Sequence, residues 1–235
     1  PYIGNARTQP GTQQDPLSGY ASLYSKDNEQ ALPGYYEVLL KTHNTKVELT
    51  ASDRVAFHRY TFPKDAEKHV MINLKDANGD DRPTNTYLEQ MNDTVIRGYR
   101  HSTGWSKKQQ IYFTAVFSQP IHLALYHDSV QVAGNHLQGL DVKGNVSIVS
   151  TKEELCVKVG ISPVSMDNAM GNIQQEIKNW DFEKIVEETT KKWNTELSKL
   201  QVETNNVAAK RVFYTALYHA FMQPIMFNDY NKEYR

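Results

Sequence analysis

The spacing of hydrophobic residues along the chain changes once. Between residues 33 and 162 apolar positions alternate with polar ones over short runs, and beyond residue 162 they recur every three or four positions. Strict alternation puts one set of side chains on each face of a strand, whereas the longer interval gathers them along one side of a helix. Over residues 111–117, Ile111, Phe113, Ala115 and Phe117 oppose Tyr112, Thr114 and Val116. Over residues 54–62, Val55, Phe57 and Arg59 oppose His58, Tyr60 and Phe62. Similar runs occupy 35–40, 46–51, 69–74, 94–102, 121–126, 129–133, 145–150 and 155–162, with His43 and Asn44 in a turn. About ten short strands with no helix-length segment between them predict a mainly β fold, an antiparallel β-sandwich. Residues 1–32, rich in Gly, Pro, Gln, Asn and Ser, show neither period and are expected to be irregular, with their tyrosines pinned to a surface.

After residue 162, Ser165 is placed to cap a short helix running through Ile177, and Asp181 to cap a longer one over 182–200. In the longer helix Phe182, Ile185, Val186, Thr189, Trp193, Leu197 and Leu200 form one stripe. On its exposed side Glu187 with Lys191, and Glu188 with Lys192, are favourable i,i+4 pairs. Residues 201–206 then lead into 211–222, which contain neither Gly nor Pro and carry Val212, Phe213, Tyr214, Ala216, Leu217, Tyr218, Ala220, Phe221 and Met222 on every side. A helix that is apolar all round is expected to be buried all round. Pro224, lacking an amide proton, stops it, and the sequence runs only eleven residues further. The helix therefore reads as the first element of an α domain that further chain, or a partner, completes. The expected plan is a β-sandwich over 1–162, a helical linker over 163–206 and the start of an incomplete α domain over 207–235.

Charge and composition narrow the function mainly by exclusion. With 26 Lys plus Arg against 27 Asp plus Glu, the chain has no electrostatic grip for nucleic acid or an anionic membrane. No apolar run approaches the ~20 residues of a membrane-spanning helix. The lone Cys156 has no partner for an internal disulfide and, in an apolar strand pattern, reads as an inert buried thiol. Asp76, Asn78, Asp80 and Asp81 look at first like a calcium loop, but the glycine is displaced and Tyr87 stands where the closing glutamate belongs, so a solvated turn is expected. His58 and His101 in strands, and His219 in the all-apolar helix, read as structural. Glu153 with Glu154, and Glu187 with Glu188, are sequence neighbours rather than an acid and base converging across a bond. Trp105 falls in a hairpin turn, where it either packs or offers a face to a sugar ring.

Several motifs, taken in order, bear a resemblance. They are Pro33-Gly34-Tyr35-Tyr36, ELTASDR at 48–54, FHRYTF at 57–62, VKVGIS at 157–162 with Asn168 and Ala169, WDF at 180–182, FYTALYH at 213–219, FND at 227–229 and Tyr234-Arg235. Together they resemble the calcium-dependent α-mannosidases of glycoside hydrolase family 92. That resemblance implies an N-terminal sandwich, a helical linker and a C-terminal (α/α)6 barrel, with exo-acting, inverting hydrolysis of α-mannosides, often α-1,2-linked. It implies a mannose-containing glycan as partner and a periplasmic or secreted location. The acid, the base and the calcium ligands are implied to belong to the barrel, and the family's sugar-contacting tryptophan loop to lie before Pro1. No catalytic or metal-binding residue is therefore expected in this chain. The resemblance implies substrate contacts at Asp229, in a loop at the mouth of the incomplete domain, and at Arg235; Trp105 is the third candidate. The two functions carried forward are the non-catalytic portion of such a mannosidase and a stand-alone carbohydrate-binding or structural sandwich.

Overall fold

The computed structural model describes residues 1–12, 14–77 and 79–235. In chain order the strands are β1 (Tyr2–Ile3), β2 (Glu29–Leu32), β3 (Tyr35–Leu40), β4 (Thr45–Ala51), β5 (Val55–Thr61), β6 (Lys68–Asn73) and β7 (Arg82–Asn92). They continue with β8 (Val95–Thr103), β9 (Gln109–Phe117), β10 (Ile121–His127), β11 (Val130–Val132), β12 (His136–Gly139), β13 (Val142–Ile148) and β14 (Glu154–Ser162). Three helices follow: α1 (Met166–Glu176), α2 (Phe182–Leu197) and α3 (Val207–Ala220). The strands form a five-stranded sheet in the order β1-β6-β13-β10-β11 and a nine-stranded sheet in the order β12-β7-β8-β9-β14-β5-β4-β3-β2. Every pairing is antiparallel. The mainly β sandwich followed by helices is the fold that the change of period predicts.

The sheets enclose one core, in which Leu88, Ile96, Leu125, Val142, Val146 and Leu155 are buried and Val38, Val47 and Tyr60 extend the cluster toward β3 to β5. The larger sheet needs a second cover, because alternation on β5 and β14 is apolar on both faces. Val55, Phe57 and Cys156 point away from the first core and are buried under Ile173 and Ile177 at α1 and Phe182 and Ile185 of α2. Each such buried side chain is worth roughly 1.5–3 kcal/mol, so the linker helices are fixed to the sandwich. Both caps form where the sequence places them: Ser165 accepts from the Asn168 amide at 3.0 Å and Asp181 from that of Lys184 at 3.1 Å. Lys158, buried on β14, reaches the free carbonyl of Ile177 at the end of α1 at 2.9 Å, the charge sign that a helix C-terminus favours.

Several expectations need correction. Residues 29–32 are not irregular but extend the larger sheet as β2, paired to β3. Residues 82–92 carry an unforeseen strand, β7, whose period is broken by Pro83 and by register shifts at Pro83/Asn85 and Gln90/Asn92. β12 was likewise unforeseen, and the strand expected at 145–150 starts earlier, at Val142. The polar face of β13 is buried as well: Lys143 reaches the Thr8 carbonyl at 3.1 Å and Asn145 accepts from Tyr2 at 2.6 Å. Tyr2, stacked 5.0 Å from His69, is thus a tyrosine pinned by its segment. Helix α2 ends at Leu197 rather than 200, and Lys192 pairs with Asp53 at 2.9 Å while Glu188 meets Lys184. The expected Glu188–Lys192 pair gives way because α2 lies against the sheet and Lys192 meets Asp53, just beyond β4.

The largest departure concerns α3. No residue of it is buried, Val212 is 68% exposed and His219 is exposed rather than enclosed. It touches the rest through the Trp193–Tyr218 ring pair, 4.6 Å between centroids, and a hydrogen bond from the Tyr214 hydroxyl to the Leu200 carbonyl at 3.4 Å. A helix apolar on every side cannot bury every side against one neighbour, so most of its surface stays open.

The junction between β14 and α1 supplies a stability test. A methyl group on Gly160 would stand 2.2 Å from the Ala169 carbonyl oxygen, a backbone atom that moves only with the helix. Gly160→Ala is expected to lower the unfolding free energy by about 1–3 kcal/mol, read as a lower urea midpoint at an unchanged slope.

Candidate functional site

Beyond α3 the chain returns to the sandwich and is tied down at three consecutive residues. Arg54, which holds Glu176 at 2.7 Å, donates to the Asn228 carbonyl. Asp229 is fully buried, at 0% exposure. Its Oδ2 accepts from Ser162 Oγ at 2.6 Å and Asn168 Nδ2 at 2.8 Å, and its Oδ1 from Asn172 Nδ2 at 2.8 Å. The Tyr230 amide donates to Asn172 Oδ1 at 2.9 Å, and its ring lies against Gly171, where an added methyl would come within 2.2 Å of it. Asn168 also donates to Glu233 at 2.7 Å. The end of β14 and the outer side of α1 thus form a socket, and residues 228–230 are its plug.

This corrects the expectation for Asp229. It lies in a loop, as expected, but buried, and its carboxylate oxygens accept from side chains of its own chain. Ser162 and Asn168 belong to the motifs singled out in the sequence. Asn172 was missed, and nothing in its local pattern distinguishes it from other helix-surface amides.

Trp105 and Arg235 are brought together. The turn between β8 and β9 carries Trp105 into solvent, and Trp105, Lys108 and Gln110 line a groove of about 500 Å³ with Pro163, Phe227 and Arg235. The plug fixes the second wall, since Phe227 directly precedes Asn228. Behind the groove His101 stacks on Tyr99 at 4.4 Å and meets Tyr112 edge-on at 5.5 Å. Burial first, then the nearby charges of Arg235 and Lys108, hold His101 below the ordinary imidazole range. Lys108 and Gln110, close to Trp105 in sequence, and Phe227, more than a hundred residues away, were missed as members of one groove because only the fold joins the two segments.

Elsewhere the titratable groups are spent on structure. Glu37 and Glu48 share the Tyr35 hydroxyl, at 2.6 and 2.8 Å, and the Lys46 ammonium, at 3.1 and 3.2 Å. Arg59 adds a two-pronged contact to Glu48 at 2.9 and 2.7 Å. Burial alone would raise the Glu48 pKa, but hydrogen bonds from Arg59, Tyr35 and Lys46 outweigh it and hold it down to about 2. Hydrogen bonds from Tyr35, then Lys46, lower that of Glu37 as well. A general acid needs its proton near neutral pH, so this pair of carboxylates is suited to ion pairing rather than proton transfer. Burial pushes His58, hydrogen-bonded to Tyr60 at 2.6 Å, down to about 4 and the Cys156 thiol up to about 11. Of the calcium-like turn, Asn78 lies outside the described residues, Asp76 accepts from Asn73 at 2.8 Å and Asp81 pairs with Arg100 at 3.1 Å. Among the described residues no group of three His, Cys, Asp or Glu gathers as a metal site.

With this geometry in place, the comparisons with known proteins fall on one family. Residues 1–162 match the Glycosyl hydrolase family 92 N-terminal domain and residues 168–235 the Glycosyl hydrolase family 92 catalytic domain. The chain belongs to glycosyl hydrolase family 92. A family 92 α-mannosidase of Bacteroides thetaiotaomicron, solved in complex with mannoimidazole, superposes with a TM-score of 0.93 at 31% identity, over 100% of this chain and 32% of that one. An inverting mannosidase of the same organism shares the fold, with a TM-score of 0.79 at 20% identity over 90% of this chain and 28% of that one. An uncharacterized secreted glycosidase of Arthroderma benhamiae is 22% identical over 89% of this chain and 30% of its own length. The chain thus spans about a third of the length of these relatives.

Two outcomes follow from the socket and the charged cluster. Asp229→Ala leaves Ser162 without its acceptor and takes one of two from each of Asn168 and Asn172, and is expected to cost ~1.5–3 kcal/mol, with limited proteolysis now cutting within 223–235 while the sandwich stays intact. For Glu48, the folded pKa of about 2 lies below an unfolded value of about 4.3. Its contribution is therefore complete above the unfolded value and lost as pH falls toward the folded one. The stability difference between the parent chain and Glu48→Gln should shrink steadily between those two pH values in urea titrations.

Proposed function

We propose that this chain is the N-terminal, non-catalytic portion of an exo-acting, inverting α-mannosidase that cleaves α-1,2-linked mannose from glycans outside the cytoplasm. The observation that carries this reading is α3, a helix apolar on every side and without a buried residue, in the stretch that matches the family's catalytic domain. Patches of this kind mark surfaces that another body covers, and the barrel of the relatives is the body that suits a first barrel helix. The plug at 228–230 supports the same reading: it returns the chain to the sandwich immediately after α3, so the sandwich sets where the barrel begins. The secreted glycosidase among the relatives supports the location.

In this scheme one carboxylic acid protonates the leaving oxygen while a second carboxylate activates water from the opposite side. The barrel supplies both, because Glu37, Glu48, Glu176 and Asp229 are held in ion pairs or hydrogen bonds within this chain. Among the described residues no set of calcium ligands gathers, so the calcium is assigned to the barrel and no step is derived through it. A stand-alone carbohydrate-binding sandwich accounts for Trp105 but leaves α3 without a role.

Incubated with an aryl α-mannoside and with α-1,2-mannobiose, with and without calcium, the chain alone is expected to release no product. Extended through the barrel, it should release mannose that proton NMR detects first as the β anomer. Turnover by the unextended chain would place the chemistry here and overturn the proposal.

A further inference from the structure

Residues 1–162 match the family's N-terminal domain and residues 168–235 its catalytic domain, and the side chain of Asn172 bonds to both. It is fully buried, at 0% exposure. Its Nδ2 donates to the Ile161 carbonyl at 2.8 Å and to Asp229 Oδ1 at 2.8 Å, while its Oδ1 accepts from the Tyr230 amide at 2.9 Å. Both amide protons and the amide oxygen are therefore in use, as a buried amide requires if it is not to destabilise the fold. The arrangement is also specific to an amide that faces a carboxylate. A second carboxylate at position 172 would set two negative charges against each other, and an apolar side chain of the same shape would leave the Tyr230 amide without its acceptor.

Asp229 hands this constraint on along the chain. Its amide donates to the Glu233 carbonyl at 2.8 Å and its carbonyl accepts from the Lys232 amide at 2.9 Å, so residues 229–233 close into a turn. Lys232 sits in the left-handed region, at φ 68°, and the Glu233 carboxylate is held a second time by Asn168 at 2.7 Å. A turn closed in this way moves as a unit, so displacing Asp229 displaces the chain that leaves the turn at Tyr234 and Arg235. In the proposed enzyme the barrel continues from that turn, and a reacting geometry disturbed by ~1 Å can cost on the order of a hundredfold in rate.

We infer that Asn172 is a positioning residue for the glycosidase reaction, acting through its bond to Asp229: neither side chain meets the sugar, and together they fix where the catalytic domain's chain sets out from the sandwich after α3. The inference rests on the α-mannosidase reading for the reaction that is positioned.

The test uses the barrel-extended chain and three variants, Asn172→Asp, Asp229→Asn and the two together, with kcat and KM measured on an aryl α-mannoside. Each single change is expected to lower kcat by roughly ten- to a hundredfold and to leave KM within about twofold, since the geometry of reaction is disturbed and no sugar contact is removed. The double variant again sets one amide against one carboxylate and should regain kcat to within about threefold of the parent. In Asn172→Asp alone the two carboxylates cannot both ionise, so one takes up a proton and becomes a donor again. The kcat of that variant relative to the parent should therefore rise as pH falls from about 8 to about 5, and the rise should be absent from the double variant. A general loss of packing predicts neither the recovery nor the rise. Parental kcat in the single variants, or a double variant no better than the worse single one, would overturn the inference. If the extended parent leaves α-mannosides intact, the enzymatic reading sinks, and limited proteolysis within 223–235 decides the positioning role. Cutting that appears in each single variant and disappears in the double one upholds the pair, and cutting that the exchange does not reverse overturns it.

Discussion

Strand β14 is buried on both faces, and the rest of the molecule is arranged around that constraint. Leu155, Val157 and Val159 face the core between the sheets, while Cys156 and Lys158 face the linker helices. A strand in that position cannot be left at a surface, so it sits in the middle of the larger sheet with β5 on one side and β9 on the other. The smaller sheet covers one face, and α1 and α2 must cover the other. Gly160 permits the close approach, since the backbone of α1 occupies the space a side chain would need. The linker is therefore a structural part of the sandwich rather than a flexible tether.

The same strand ends at Ser162, and there the packing constraint becomes a positioning device. Ser162, Asn168 and Asn172 converge on Asp229, and three donors around one buried carboxylate define its place to within a hydrogen bond's tolerance. Residues that follow α3 are thereby referred back to the sandwich. Phe227 directly precedes the anchored residues and lines a groove with Trp105 and Arg235. An aspartate that resembles a substrate ligand in sequence serves in the fold as an anchor for the residues beside it.

The charged groups follow the same economy. Glu37, Glu48, Arg59 and Lys46 neutralise one another on the sheet face beneath α2, and Arg54 joins Glu176 to the returning chain. Glu37 and Glu48 are held below the usual carboxylate range by hydrogen bonds from Tyr35, Lys46 and, at Glu48, Arg59.

How much of this the sequence determined depends on the range of the interaction. Alternation, the Ser165 and Asp181 caps and the stop at Pro224 are local, set by residues within a few positions of each other, and they specified the sandwich, its three helices and their order. β7 escaped notice because Pro83 and its bulges shift the register that alternation depends on, and β13 was expected at 145–150 although it begins at Val142. The family motifs pointed to Asp229 and Arg235, but the side chains that fill the Asp229 carboxylate lie 57 to 67 residues away. Trp105 and Arg235 are farther apart still. Whether a carboxylate is open to a ligand or closed by its own chain, and which loops share a groove, is decided by where distant segments meet, and only the tertiary structure brings them together.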